Sequence, residues 1–345
     1  MTSVNITITG CGMVNPVGVG APACAAAVRA GINQYADSNL IRTKGEPYKM
    51  ATVPDACLPE IELSAVANVN ANFLFKRLLQ LAIPALKEAC EAAQISAPVP
   101  VFLAVPEQRC GRPYPALEPF LKALSSQVDY PLDLITSRVF PMGRSAGMNA
   151  LNEAINLLLN SPLERIIVGG VDSFFDLRLL SALDAEDRLT SSRTMRGFVP
   201  GEGAAFVVLE KTADARLQLS NPGIAEESGH MYSEESCLGD GLSIVVADAV
   251  ANLDRPVPTV LCSMNGEPGH VKEWGIAQLR NSASFHANLQ LHHPAECYGD
   301  LGAATAPTLL ALSVLGLEKG YYQGPALVWC ASDYQQRGAV VISHS

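Results

Sequence analysis

Short runs of β-branched and apolar residues alternate with segments of helical periodicity from one end of this 345-residue chain to the other. Val4 to Thr9 (VNITIT) predicts a strand running into a turn lined by Gly10, Gly12 and Pro16, followed by a helix at about Cys24 to Ala30. Asn72 to Ala93 has apolar residues at helical spacing, with Pro84 expected to bend it, and leads into a strand at Val99 to Ala104. Ser137 to Phe140 then reads as a short strand, Gly143 to Gly147 as a tight turn, and Met148 to Asn160 as a helix burying Met148, Leu151, Ile155, Leu158 and Leu159. Strands follow at Arg165 to Val171 and Gly203 to Lys211. The second half repeats the theme with helices at Leu242 to Leu253 and Ala303 to Lys319, and strands at Thr259 to Ser263, Ala326 to Ala331 and Gly338 to Ser343. Such alternation implies helices packed on both faces of largely parallel sheets, so the fold class is α/β. The Gly- and Ser-rich stretch from Ala215 to Gly239 reads as the connection between the halves.

Composition excludes several function classes. Hydrophobic residues make up 48% and charged residues 17%, as in a large, well-buried protein and unlike a disordered polyelectrolyte. With 24 Lys and Arg against 34 Asp and Glu, a net charge of -10 and no basic run, the chain lacks the clustered cations that neutralise nucleic-acid phosphates. Its nine cysteines form no C-x-x-C pair and read as reduced thiols. There is no 18-residue apolar run and no basic, apolar leader at the start, so a cytoplasmic protein without a membrane partner is expected.

Three local motifs invite a chemical reading. Gly10 and Gly12 follow a strand, but Asn15 and Pro16 occupy the region of the third glycine of a dinucleotide site and no suitably placed acid follows, so no nucleotide cofactor is expected. Gly143-Arg144-Ser145-Ala146-Gly147 matches G-x-S-x-G between strand and helix, where a sharp turn exposes a serine oxygen and helix-start amides stabilise an oxyanion. Six histidines follow Ser145 in the chain, and none is marked by its setting as a base. His292, His293, Glu296, Cys297 and Asp300 cluster in sequence, but adjacent strand histidines point to opposite faces and no tetrahedral spacing is present, so a solvated turn is the better reading and no metal is expected.

Several segments, in order, resemble the β-ketoacyl synthases of the thiolase superfamily. ITGCGMVNPVG resembles that family's first strand and turn, and GFVPGEGAAFVVLEK (Gly197 to Lys211) its G-F-V-x-G-E-G-A segment. Arg144 to Gly170 matches without a gap the stretch from the nucleophilic cysteine to the Gly-Gly strand, and Tyr298 to Gly320 resembles the G-H-T-L-G-A-A-G helix. The resemblance implies a thiolase-like fold: two similar βαβαβ-type halves, here residues 1–215 and a shortened 216–345, in a five-layered α-β-α-β-α arrangement, usually as a homodimer. Inactive members of the family can serve as partners of active ketosynthases or as accessory proteins. The resemblance thus implies a protein partner such as an active ketosynthase, an acyl carrier protein or a secretion-system component.

The family's catalytic set is missing. Its cysteine, activated at a helix start beside an imidazole, falls on Arg144. Its first histidine falls near Met264 in CSMNGEPG, and its second on Gly299. The glycine-rich oxyanion loop is replaced by SDYQQRG (Ser332 to Gly338). A cation at a helix N-terminus needs a compensating anion, so Arg144 is expected to pair with Asp300 or Glu267 and fill the old pocket with a polar network; the alternative is a guanidinium turned to solvent. The expectation is a ketosynthase-like protein that has lost condensing activity. The enzymatic alternative keeps acyl transfer or thioester or ester hydrolysis through Ser145 with His270 as base, or through Cys262 or Cys297, or the activity of a divergent 3-oxoacyl-ACP synthase.

Overall fold

The computed structural model describes residues 5–42, 45–61, 73–108, 117–192 and 194–345. Asn5–Asn15 (β1), Gly18–Val19 (β2), Val101–Ala104 (β5), Arg138–Phe140 (β6), Arg165–Ser173 (β7) and Glu202–Thr212 (β8) build a six-stranded sheet in the order β2-β1-β8-β7-β5-β6. A small hairpin, Ala36–Ile41 (β3) with Pro47–Met50 (β4), stands apart from it. Leu217–Leu219 (β9), Gly223–Glu226 (β10), Val257–Cys262 (β11), Phe285–His292 (β12), Ala326–Ala331 (β13) and Gln336–His344 (β14) build the second sheet, in the order β10-β14-β13-β11-β12 with β9 also on β14. Strand directions repeat as well: β8 and β14 run antiparallel to their neighbours, while β7-β5-β6 and β13-β11-β12 are parallel. The sheet order, repeated once, is the structural content of the two-half pattern in the sequence.

Helices fill the remaining layers. Ala146–Asn160 (α4) and Thr305–Glu318 (α9) lie between the sheets, each touching strands of both. Phe73–Ala92 (α2) packs against Leu117–Gln127 (α3) and covers the outer face of the first sheet; Asp240–Val250 (α6) and Pro268–Arg280 (α7) pack together beside the second. The shorter Ala21–Arg29 (α1), Leu177–Ala185 (α5) and Ala295–Tyr298 (α8) complete the set. The result is an α-β-α-β-α stack, as the resemblance implies. The central helix α9 is buried nearly all round, consistent with its uniformly apolar sequence TAPTLLALSVLGLE.

Several expectations need correction. The first strand does not stop at Gly10; it runs through Gly12 to Asn15. Both glycines lie under α2, where an added Cβ would sit 2.4 Å from the Ala89 carbonyl oxygen and 1.9 Å from that of Ala85, so they admit a helix backbone rather than a turn. The 215–239 stretch is not a plain connection, because it contributes β9 and β10 to the second sheet. Leu159 is exposed, lying off the buried face of α4 that carries Met148, Leu151, Ile155 and Leu158. Val4, Asn72 and Cys110 lie outside the described residues. Among the described residues no helix is long and apolar enough to cross a membrane.

Candidate functional site

Two helix starts meet at the centre of the molecule. Gly143, at φ +68°, turns the chain from β6 into a short 3-10 segment, Gly143–Ser145, that feeds α4. Gly302, at φ +51°, opens the matching segment Gly302–Ala304 ahead of α9, and an added Cβ there would sit 2.0 Å from the Asp172 carboxylate. Only glycine tolerates that backbone and that contact.

Arg144 projects into this junction and is 2% exposed, so the solvent-turned alternative does not hold. Its Nε donates to Asp300 Oδ2 at 2.8 Å, its Nη2 donates to the same oxygen, and its Nη1 donates to Asp333 Oδ1 at 2.5 Å. The expected pairing with Asp300 is present. The pairing with Glu267 is not: that carboxylate accepts from Arg188, Nε at 2.7 Å and Nη2 at 2.8 Å. Arg188 also donates to both oxygens of Asp333, at 2.8 and 3.0 Å, and Asn265 Nδ2 donates to Asp300 at 2.7 Å and Glu267 at 3.1 Å. The side chains thus close a ring, Arg144, Asp300, Asn265, Glu267, Arg188 and Asp333. Phe198 supplies its floor, its ring centroid 5.9 Å from the Arg144 guanidinium carbon and 5.5 Å from that of Arg188. On the outer side, Arg188 Nη1 donates to the Tyr232 hydroxyl at 2.7 Å, which donates to Glu186 at 3.0 Å.

Burial works against charge on Arg144 and Asp300, and the opposite charges outweigh it for both. The Arg144 guanidinium is held protonated by Asp300 and Asp333. The Asp300 carboxyl is held below its ordinary range by Arg144, the Asn265 amide and the Gly302 N–H, which donates to Oδ1 at 2.8 Å. Glycine at position 299 has a local cause too: at φ +74° an added Cβ would lie 2.7 Å from the Val199 carbonyl oxygen, where Asp300 N–H donates to the same oxygen and Gly201 N–H donates back to the Asp300 carbonyl. Met264 is buried in the apolar cluster of Trp274 and Trp329.

The other candidate groups are not arranged for catalysis. Ser145 Oγ is buried without a hydrogen-bond partner among the described residues, so no bond joins it to His270. The Ser145 N–H, a potential oxyanion donor, already donates to Ser332 Oγ at 2.9 Å. His270 is 4% exposed, its Nδ1 unpartnered, and burial followed by the Arg144 charge lowers its pKa to about 4. Burial pushes the Cys262 thiol up to about 12 and the Cys297 thiol up to about 11, away from the thiolate. His293 sits 3.3 Å from Glu296 at the surface, apart from buried Asp300. Among the described residues, the metal-ligand residue types that do converge are Glu227, Cys237 and Glu273, but Glu273 is taken up by Arg337 at 2.6 and 3.2 Å and Glu227 by the amides of Leu238 and Gly241.

Nothing in the sequence marks Arg188, Asn265, Ser332 or Asp333 individually. Ser332 and Asp333 stand in the segment that departs from the family loop, which marks the place but not the partner. Arg188 sits in an irregular stretch after α5, and only the tertiary fold brings it 2.8 Å from Asp333.

Comparison with known proteins agrees with this architecture. Residues 125–215 match the model of the β-ketoacyl synthase N-terminal domain. A putative β-ketoacyl synthase 1 for the oxytetracycline polyketide, from Streptomyces rimosus, is 28% identical over 172 residues, which span 45% of this chain and 40% of that relative. Among solved structures, the ishigamide ketosynthase/chain length factor superposes with a TM-score of 0.73 at 18% identity over 99% of each chain. A ketosynthase in complex with its chain length factor from Xenorhabdus doucetiae superposes with a TM-score of 0.78 at 14% identity, over 99% of this chain and 98% of the other. A type II PKS acyl-carrier protein in complex with its ketosynthase gives 0.76 at 14%, over 99% of each chain.

Proposed function

We propose that this chain, which has the thiolase-like fold and matches the β-ketoacyl synthase N-terminal domain over residues 125–215, is a non-catalytic subunit that pairs with a catalytically competent ketosynthase and does not condense acyl groups itself. The observation that carries this reading is the side chain of Arg144. Condensation needs a nucleophile that takes an acyl group at this helix start and a second group that polarises the incoming carbonyl. A permanently charged guanidinium, paired with two aspartates through all three of its nitrogens, does neither. The neighbouring Ser145 amide is occupied, and the Ser145 hydroxyl has no base.

Pairing is supported by the proteins that share the fold, two of which are described as a ketosynthase with a chain length factor. It is also supported by the first sheet, which ends at β6; among the described residues that strand has a neighbour on one side alone, and Ile135, 98% exposed, stands just before it. An open edge beside apolar surface favours association. Heteromeric pairing is the form we favour over the homodimer implied by the family.

The test is incubation with an excess of an acyl thioester followed by intact-mass measurement. The mass is expected to stay unchanged; a stoichiometric acyl adduct on Ser145 or on any cysteine overturns the assignment and restores the acyltransferase alternative.

A further inference from the structure

Both arginines of the buried ring, Arg144 and Arg188, belong to the part of the chain that builds the first sheet, and Asp300, Asp333, Glu267 and Asn265 all belong to the part that builds the second. Every ion pair in the ring therefore crosses the junction between the two. We infer that the ring is a register lock: it selects the one relative placement of the two sheet units, while apolar packing holds them together.

Apolar burial has no direction, and where the two helix starts touch, the packing is made of small residues. Ala146, Gly147 and Ala150 of the first helix start meet Ala303, Ala304 and Ala306 of the second, all within one apolar cluster that continues through both sheets apart from Gly147. Close packing of small residues fixes how near the helices come but carries no charge complementarity, whereas a guanidinium fork facing carboxylates is satisfied in one placement alone. Arg144 meets Asp300 and Asp333, and Arg188 meets Glu267 and Asp333, so a slide of about 1 Å breaks several charge-assisted bonds together and leaves charges buried without partners. Asp333 is shared by both arginines, and the ring closes only when all the contributing loops are in place.

A buried ion network of this type is weak evidence for stability, because desolvation offsets much of the attraction. Its role is accordingly specificity. This inference is independent of the partner role proposed above and survives if that role fails.

The unaltered chain gives the first measurement, hydrogen exchange by mass spectrometry in increasing sub-denaturing urea. Residues 140–147, 186–200, 263–268, 298–304 and 330–338 are expected to open as one unit with a common midpoint. Separate midpoints for the two first-sheet segments and the three second-sheet segments overturn the inference. The second measurement uses a variant in which the charges are removed as a set, Arg144→Met, Arg188→Met, Asp300→Asn, Asp333→Asn and Glu267→Gln. It is expected to unfold at a urea midpoint equal to or above that of the wild type, while those segments now exchange in two groups. Segments that still open together in the variant, a variant that does not fold, or a lowered midpoint each overturn it, the last two because packing would then depend on the ring for stability. Trp274 and Trp329, both in the second-sheet unit, report its unfolding by fluorescence against the whole-chain circular dichroism.

Discussion

An arginine in the first turn of a helix faces the positive end of the helix dipole, a conflict of roughly 0.3 to 1 kcal/mol that an adjacent anion must relieve. That much of Arg144 is legible in the sequence, and so is Asp300 as one relieving group; Asp333 and Arg188 are not, since nothing local ties residues so far apart in the chain. Replacement by the residue that the resemblance places here, Arg144→Cys, is expected to destabilise the fold by about 3 to 5 kcal/mol in urea titration, because Asp300 and Asp333 lose a buried counter-charge. The new thiol is expected to stay unmodified by an acyl thioester at neutral pH, since burial and two carboxylates disfavour the thiolate, as burial does for the neighbouring Cys330. His270 supplies a pH dependence. Folded, it stays neutral down to about pH 4, whereas the unfolded residue protonates near 6.5. Its contribution is therefore complete above pH 6.5 and declines as pH falls toward 4, by about 2 kcal/mol between neutral pH and about pH 5. Asp300, with its pKa depressed below the ordinary 3.8, loses its contribution only under more acid conditions, so the two windows separate. His270→Asn should flatten the change in unfolding midpoint between about pH 7.5 and pH 5; an unchanged slope would exclude His270 as its source.

The elements that carry the site were mostly visible as periodicity, and their mutual placement was not. The helices of the central layer cross where Gly147 leaves no room for a side chain: an added Cβ would lie 2.8 Å from Ala306 Cβ and 2.8 Å from Pro307 Cδ. Gly147→Val is expected to overpack this crossing and lower stability by about 1 to 3 kcal/mol, with loss of thermal midpoint in circular dichroism and retained helix content. The sequence marks Gly147 as part of a turn, a local reading that its place inside α4 corrects. Gly10 and Gly12 follow the same logic in β1, where local chemistry suggests a turn and the close passage of α2 decides otherwise. Glycine records only that space or backbone freedom is needed; the neighbour that makes the demand is a tertiary fact.

Across the whole molecule, the exposed side chain of Ile135 beside the sheet edge belongs to the partner face proposed above. Ile135→Asp is expected to leave the thermal melt unchanged and to reduce the mass of the assembly in light scattering, with a ketosynthase subunit present or with the chain alone. An unchanged mass removes this face from the interface. The α/β class and the repeated strand and helix order follow from the sequence, because apolar periods and β-branched runs are local properties that survive into the fold. So does the resemblance that aligns Arg144, Met264 and Gly299 with a ketosynthase's cysteine and histidines, which depends on register alone. What only the tertiary structure decided is the use made of those positions. The sites of Arg144, Asp300 and Asp333 and the loops holding Arg188 and Glu267 converge because the two sheets stack about one central pair of helices. The energy of a buried charge depends on its distance to every other charge in three dimensions, and neighbourhood along the chain carries no record of it.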